Sequence, residues 1–324
     1  MKTWRGLLLA LIPLLALAAA DRAAAQPYPH KPIRLIVGFT PGGATDIVAR
    51  MLAEQLTQSL QQSVVVENKP GANGNVGADL VAKSPADGYT LLFTPSPHVI
   101  SRVLYPAITF DPIADFEPVA LVAKLPYFVI ANPKVPAGDL RELVAYAKAN
   151  PGKLTYGTAG QGTMNHLAME LLKQMAGVDI VTVNYKGGAP AQTDVIAGHI
   201  DLMIASTAQA TPFVKDGKVK ALAIAAQARL ADMPAVPTSA ESGLPGFTAD
   251  TWLGVLAPKG TPKAIVDRLN AEVAKALANP EMKTRLAKSG AEPFPESPQA
   301  FAALMKQDQE KWTKLIRAIG IKME

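Results

Sequence analysis

The chain has 324 residues, of which 49% are hydrophobic and 18% are charged, and it carries a formal net charge of +5 and no cysteine. The lack of cysteine excludes disulfides, thiol catalysis, cysteine–zinc sites and a lipid anchor on an N-terminal cysteine. Basic residues are scattered along the chain, whereas a nucleic-acid-binding surface needs them on one face, so we expect no nucleic-acid partner.

The first 25 residues have the pattern of an export signal. Lys2 and Arg5 precede an apolar stretch at 6–20, and small residues at 23–25 come before Gln26. A membrane anchor is the alternative interpretation, but the apolar stretch is shorter than the ~20 residues that cross a bilayer. We therefore expect residues 1–25 to be a cleaved signal peptide and the mature protein to be periplasmic.

Strands and helices alternate along the first part of the mature chain, which is typical of an α/β fold with mostly parallel sheets. A Gly-rich loop at 40–46 separates the first strand from the first helix. The segment 94–98 contains two prolines and is predicted to be a loop rather than a helix. The predicted elements are strands at 33–39, 63–67 and 89–93, a helix at 47–60 and a helix that ends near Ala82.

The rest of the chain repeats the strand, Gly-rich loop and helix unit twice, with loops at 158–166 and 186–190. The last helix is predicted to begin after an N-capping Ser297. The predicted strands are 119–122, 126–131, 154–157, 181–185, 201–205, 221–225 and 250–257, and the predicted helices are 138–149, 167–175, 191–197, 262–278 and the C-terminal one.

A mature chain of roughly 300 residues exceeds what one hydrophobic core usually organises, so we expect two domains. The C-terminal helices have no sheet of their own nearby and are expected to dock on the first domain. This predicts a discontinuous domain 1 of residues 26–126 and 249–324 around a domain 2 of residues 127–248. The two crossings between the domains are expected near 124–130 and 246–252.

The first Gly-rich loop is a candidate anion site because a helix N-terminus offers free N–H groups and a partial positive charge. Gly42, Gly43 and Ala44 would present N–H groups to a carboxylate, Pro41 would stiffen the approach, and Phe39 would pack on the ligand. A tight strand–helix turn without a ligand is the alternative interpretation for this loop.

The second loop offers a matching half-site. Thr158 and Thr163 carry hydroxyl groups, Ala159 and Gly162 offer backbone groups, and His166 lies in the helix that follows. Thr163 is also a plausible N-cap. The helix N-terminus disfavours a protonated His166, which is therefore expected to be a neutral donor or a packing residue.

Four further residues complete the predicted site. Asp46 would repel an anion, so it is expected to hold the loop or an ordered water rather than to touch the ligand. Lys186 is the candidate cation beside these loops, with a solvated lysine as the alternative, and Gly187 begins a set of backbone donors. Ser206, after the strand at 201–205, is a candidate hydroxyl donor.

Six co-linear motifs resemble the Bug family, the extracytoplasmic solute receptors of tripartite tricarboxylate transporters. The resemblance implies a periplasmic-binding-protein type II-like fold, with two lobes and a hinged cleft that captures a small carboxylate, and a permease of one large and one small membrane subunit as partner. The motifs are FTPGGATD, VVENKPGANGNVG, DGYTLL, TAGQGTMNH, YKGGAP and DTWLGVLAP.

One position departs from the family pattern. Relatives often carry an Asp after the strand at 201–204, where this chain has Ala205, Ser206 and Thr207. An Asp there pairs with a ligand ammonium group, which Ala205 cannot do. The resemblance therefore favours plain carboxylates over amino acids, with Ser206 and Thr207 supplying hydroxyl groups.

Two other functional classes compete with a transport receptor. An exported enzyme would use the Gly-rich loops to hold phosphate, but the chain lacks the phosphate-loop, dinucleotide and nucleophile-elbow patterns, and its four histidines lack metal-ligand spacing. A sensory protein that signals to a membrane kinase would share the same cleft. We expect no enzymatic activity, no metal, no organic cofactor and a monomer.

Overall fold

The computed structural model describes residues 28–185, 187–230 and 232–320, so the expected signal peptide and Lys186 lie outside the described residues. The strands are β1 Ile33–Val37, β2 Val64–Asn68, β3 Thr90–Pro95, β4 Phe116–Ala131, β5 Thr155–Thr158, β6 Val181–Asn184, β7 Leu202–Ser206, β8 Lys220–Ile224, β9 Asp250–Pro258 and β10 Glu292–Pro293. The helices are α1 Ala44–Leu60, α2 Asn75–Ala82, α3 Ser101–Leu104, α4 Leu140–Ala149, α5 Met164–Ala176, α6 Gly188–Ala197, α7 Thr207–Lys215, α8 Lys263–Ala278, α9 Pro280–Lys288 and α10 Pro298–Ile319.

The strands form two sheets that share β4. The first runs β2-β1-β3-β9-β4 with β10 beside β4, and the second contains β4, β7, β5 and β6 in that order, with β8 also beside β4. We call the first sheet and its helices the first lobe and the second sheet and its helices the second lobe. The α/β class expected from the sequence is confirmed.

The strands within each lobe are not all parallel. β1, β2 and β3 run parallel to one another, as do β5, β6 and β7, but β4 runs antiparallel to each of its partners. The expectation of mostly parallel sheets therefore needs correction to mixed sheets. In the first lobe the reason is β9, which runs antiparallel to both β3 and β4 as the chain returns to this lobe. In the second lobe the reason is β4, which enters from the first lobe and opposes β7 and β8, and no βαβ connection fixes the direction of either strand.

β4 is a single long strand, where the sequence predicts two. Its residues up to Pro126 pair with β9, and those from Tyr127 pair with β7 and β8. Lys124 lies between the two predicted strands, and its ammonium lies 3.9 Å from the ring centre of Phe294 and 4.0 Å from a carboxylate oxygen of Asp250. These contacts allow a charged residue inside a mostly buried strand.

The segment after β3 is also more ordered than predicted. Residues Ser96–Ile100 form a 3₁₀ helix that continues into α3. Pro97 is tolerated because the first turn of a helix leaves its N–H groups unpaired in any case. The expectation that residues 94–98 form only a loop is therefore wrong for residues 96–98.

The C-terminal helices pack where their apolar faces find a sheet. α8 contacts β4 and α1 in the first lobe, as expected. α10 begins after Ser297, whose hydroxyl accepts a hydrogen bond from the N–H of Ala300, and so the predicted cap is present. However, α10 contacts α5 of the second lobe as well as β4, so it spans both lobes rather than docking on the first alone.

Candidate functional site

A small cavity of about 140 Å³ lies between the lobes, where the starts of α1 and α5 approach each other. The crossing strands contribute Tyr127 and Thr251, whose hydroxyl oxygens are 3.2 Å apart. Burial raises the pKa of Tyr127 to about 12, so this hydroxyl keeps its proton and can donate it. The lining residues are Phe39, Ala44, Thr45, Asn73, Pro95, Pro97, Leu125, Tyr127, Thr163, Met164, Asn165, Ser206, Thr251 and Leu253.

A second cavity of about 580 Å³ adjoins the first and shares Ala44 and Ser206 with it. It lies between the first Gly-rich loop and the starts of α6 and α7 in the second lobe. The lining residues are Gly42, Gly43, Ala44, Ile47, Gly188, Ala189, Gln192, Thr193, Ile196, Ser206, Ala208, Gln209, Phe213 and Ser289. Three helix N-termini therefore border this space.

Asp46 fixes the first loop. Its carboxylate accepts hydrogen bonds from the N–H of Gly42 at 2.9 Å, from Nε of Arg50 at 2.9 Å and from Nδ2 of Asn68 at 2.8 Å. Burial alone would raise the pKa of Asp46, but these three hydrogen bonds outweigh it and lower the pKa below its ordinary value. Through these contacts Asp46 holds the loop, as expected from the sequence.

This arrangement corrects one predicted donor. The N–H of Gly42 is already donated to Asp46, so it is not free for a ligand. The free donors of this loop lie at the N-terminal end of α1, where Ala44 and Thr45 have no intrahelical partner for their N–H groups. Gly43 precedes them in the N-cap position with an open surface around its Cα.

His166 fixes the second loop in the same way. Its Nδ1 accepts a hydrogen bond from the N–H of Gly162 at 3.1 Å. Because a backbone N–H can only donate, Nδ1 carries no proton and the neutral imidazole carries it on Nε2. Burial lowers the pKa of His166 and so favours this neutral form. The predicted neutral state therefore fits, but Gly162 is not a free backbone donor.

The two threonines of this loop are also occupied. Thr158 is fully buried, and its hydroxyl donates to the carbonyl of Gly160 at 2.8 Å and accepts from the N–H of Gly160 at 3.0 Å. The hydroxyl of Thr163 donates to the same carbonyl at 2.6 Å and does not cap α5. Thr163 still lines the small cavity with a hydroxyl that can accept a hydrogen bond, whereas Thr158 shapes the loop.

The third loop and the start of α7 complete the cleft. Gly187 precedes α6 with φ of +126°, a conformation that favours glycine. The hydroxyl of Ser206 accepts a 3.4 Å hydrogen bond from the N–H of Gln209 and lies at both cavities. The hydroxyl of Thr207 donates to the carbonyl of Gly290 in the first lobe at 2.6 Å. Contrary to the expectation from the sequence, it is therefore not available to donate to a ligand.

The predicted residues thus fall into two groups. Those that line one or both cavities are Phe39, Gly42, Gly43, Ala44, Thr163 and Ser206. Those that line neither cavity but shape or border its loops are Pro41, Asp46, Thr158, Ala159, Gly162, His166 and Gly187.

Sequence reasoning missed several lining residues. Tyr127 and Thr251 lie in the predicted crossing segments, where polar residues in otherwise apolar strands were an available signal. Gln192 and Gln209 lie within the first two turns of helices that follow second-lobe strands, the same position as the predicted loops. Phe213 carries no such signal, because an aromatic residue on a helix is typical of a core.

Within residues 28–185, 187–230 and 232–320, no cluster of three or more His, Asp or Glu side chains is placed to hold a metal ion. In the same ranges, no helix combines the length and the hydropathy that a bilayer crossing requires. The site consists instead of helix N-termini, hydroxyl groups and side-chain amides.

Comparison with known proteins gives relatives along nearly the whole chain. Protein BugT of Bordetella pertussis is 37% identical over 321 residues, which cover 98% of each chain. A structure of an R. palustris protein solved with adipate is 36% identical, with a TM-score of 0.82, and the match covers 90% of this chain and 98% of that one. MatC from Rhodopseudomonas palustris, with bound malate, is 35% identical with a TM-score of 0.78, covering 89% of this chain and 100% of MatC.

These structures carry the same two-lobed fold, which confirms the architecture that the sequence motifs imply. The model of the tripartite tricarboxylate transporter family receptor matches residues 48–321, a range that begins in α1 and ends after α10. The chain belongs to the tripartite tricarboxylate transporter receptor family, and it is a solute-binding receptor of the Bug type.

Proposed function

We propose that the protein is a periplasmic receptor that captures a small carboxylate between its lobes and delivers it to the membrane permease of a tripartite tricarboxylate transporter. The observation that carries the proposal is the small cavity, where helices α1 and α5 of opposite lobes both begin. The adipate and malate in the two related structures support a carboxylate as the ligand class.

A carboxylate suits this cavity because its charge is met by dipoles and hydroxyl groups. The N–H groups of Ala44 and Thr45 are free at the start of α1, and Met164 begins α5 on the opposite side. Tyr127 adds a hydroxyl donor from the crossing strand. In a space that excludes water these dipoles act in a low dielectric and strengthen accordingly.

We also propose that the lobes are domains that move. Domain 1 would comprise residues 26–126 and 249–324 and domain 2 residues 127–248, because β4 changes partners between Pro126 and Tyr127 and β9 begins at Asp250. A ligand held by α1 and α5 together favours the closed arrangement, by no more than its difference in affinity for the two states.

Membership of this receptor family favours a role in transport over an exported enzyme or a sensory protein. Receptors of this kind bind and release a solute unchanged, which supports the absence of catalysis, of a metal and of an organic cofactor. The same family membership supports permease subunits rather than a membrane kinase as the partner, and a periplasmic location after removal of residues 1–25. We propose that the receptor acts as a monomer.

The experiment is calorimetric titration of a carboxylate series into the mature protein and into Gly43→Val. The backbone at Gly43 has an ordinary φ of −77° and no close neighbour except a carbonyl at 3.8 Å, so valine leaves the fold intact while its branches enter the cavity. We expect at least a tenfold loss of affinity.

Gly138→Val is the matched control. This glycine also precedes a helix and lies away from the cleft, so the same substitution there should leave binding unchanged. If no carboxylate binds the unaltered protein, or if Gly43→Val binds as tightly as Gly138→Val, the proposed site is wrong.

A further inference from the structure

The large cavity beside the small one differs from it in chemistry. Its volume of about 580 Å³ falls within the range of ~300–1,000 Å³ typical of sites for organic ligands, whereas the small cavity of about 140 Å³ lies below that range. Because the cavities share Ala44 and Ser206, one ligand can extend from the first into the second.

The walls of the large cavity are mainly apolar. Ile47 of α1 faces Ile196 of α6 and Phe213 of α7 across it, with Ala189 and Ala208 between. Ile47 is a large aliphatic side chain that is 39% exposed and borders this cavity. Contact with an apolar ligand would remove this surface from water, which is favourable by about 25 cal/mol per Å².

None of the described lining residues is Lys, Arg or His. A second carboxylate placed against Ile47, Ile196 and Phe213 would lose its hydration to apolar side chains, which is costly. The side-chain amide of Gln209 lies beside the start of α6, since a Cβ added to Gly188 would lie 2.8 Å from Oε1 of Gln209.

Gln209 provides one polar contact in these surroundings. Its Nε2 is buried and has no hydrogen-bond partner among the described residues. A buried donor left unpaired destabilises the protein, and an uncharged acceptor on a ligand would recover that loss. Gln192 is held nearby by donating to the backbone carbonyl of Gln209 at 3.2 Å.

We propose that the ligand is a monocarboxylate with a bulky, uncharged, apolar body, rather than a short di- or tricarboxylate. The carboxylate lies in the small cavity, the body fills the large cavity against Ile47, Ile196 and Phe213, and a neutral acceptor on the body receives a hydrogen bond from Gln209. This inference rests on the proposed function, because it assumes that the small cavity holds the carboxylate.

The direct test compares ligands of nearly equal shape. 4-Acetylbenzoate and terephthalate differ in whether the far group is an uncharged acceptor or a second carboxylate, and octanoate and octanedioate form the aliphatic pair. We expect the monocarboxylate of each pair to bind at least tenfold more tightly by calorimetry. Equal or tighter binding of the dicarboxylates overturns the inference.

Malate and adipate are included so that the two proposals fail separately. If these bind and the apolar monocarboxylates do not, the receptor function stands and the inference is overturned. If no carboxylate of the whole set binds, the proposed function itself is overturned, and the inference falls with it.

Two variants locate the selectivity. Ile47→Arg puts a cation into the large cavity on an exposed position of α1, and it should raise terephthalate affinity above that of 4-acetylbenzoate. Val181→Arg is the matched control, since Val181 is an exposed aliphatic residue that does not line the cavity, and it should leave the preference unchanged. An unchanged preference in Ile47→Arg contradicts the proposal.

Gln209→Leu tests the polar contact. The substitution should lower the affinity for 4-acetylbenzoate about tenfold. It should leave the affinity for 4-ethylbenzoate, which has the same shape without the acceptor, unchanged. Equal losses for both ligands would mean that Gln209 acts only through packing, and no loss for either would mean that it does not face the ligand. Either outcome overturns its assignment.

Discussion

The loops that precede α1 and α5 are built alike but fixed by different chemistry. In each, a glycine at positive φ, Gly42 or Gly162, donates its N–H to the side chain four residues later. In the first loop the acceptor is the charged carboxylate of Asp46, held in turn by Arg50 and Asn68. In the second it is the neutral imidazole of His166.

The surroundings of the two glycines differ as well. A Cβ on Gly42 would meet nothing within 4 Å, whereas a Cβ on Gly162 would lie 2.6 Å from Cδ1 of Leu104 in the first lobe. The first loop is thus open to the cleft, and the second is packed against the opposite lobe. Similar Gly-rich motifs can therefore share backbone geometry while one contacts a ligand and the other joins the lobes.

The largest expected effect comes from adding a methyl group to each glycine. Gly42→Ala should destabilise the fold by about 1–2 kcal/mol, the cost of a left-handed conformation for an L-residue. Gly162→Ala should cost about 3–4 kcal/mol, because overpacking against Leu104 adds to the same strain. Chemical denaturation of both variants measures the difference, and equal losses would show that the packing on Leu104 gives way freely.

This contrast also means that valine substitutions at Gly43 and at Gly162 test different things. Gly43 has an ordinary φ and open surroundings, so valine there tests binding alone. At Gly162 it would strain the backbone and push Leu104 away, so a loss of binding there would not separate the site from the fold.

Much of the fold was predictable because local patterns carry it. The Gly-rich loops at strand ends, the Ser297 cap and the alternation of strands and helices each follow from a few neighbouring residues. The continuity of β4 does not follow from neighbouring residues, because Phe294 and Asp250, which contact Lys124 inside this strand, are both distant in sequence.

The candidate site was predictable only in part, for a similar reason. The sequence indicates which loops open helices, but not which N–H groups are already donated, as at Gly42 and Gly162. It also gives no hint that α7 places Gln209 and Phe213 opposite Ile47, since that depends on how the lobes face each other.

Replacing the acceptors should have an intermediate effect. Asp46→Asn keeps the shape but turns one acceptor into a donor that faces other donors, and so should cost about 2 kcal/mol, the value typical of a hydrogen bond to a charged group. His166→Gln retains a neutral acceptor for the N–H of Gly162, so about 1 kcal/mol is expected. Thermal unfolding of both variants measures the two losses of stability. A larger loss for His166→Gln than for Asp46→Asn would contradict the comparison.

The smallest effect is a difference in pH dependence. The folded pKa of Asp46 is below its ordinary value, so its contribution is present above about pH 4 and is lost only as the pH falls further. Burial also lowers the folded pKa of His166. Above about pH 6.5 the imidazole is neutral in both the folded and the unfolded chain, and its contribution is complete.

Below that pH the unfolded chain binds a proton that the folded chain resists, so stability falls until the folded pKa of His166 is reached. Between pH 7 and pH 5 only the second of the two loops should therefore weaken, since protonated Nδ1 cannot accept from Gly162. Glu170 and Lys173, which pair with each other at 2.8 Å near His166, oppose one another in their effect on its pKa.

The measurement compares unfolding free energies at pH 7 and pH 5 for the unaltered protein and for His166→Gln. His98, whose pKa burial lowers to about 4, destabilises both proteins equally over this range, so the difference between them isolates His166. We expect a smaller loss on acidification in His166→Gln. The second loop is anchored by an uncharged acceptor that can no longer accept once it is protonated. Equal losses in the two proteins would mean that folding does not lower the pKa of His166.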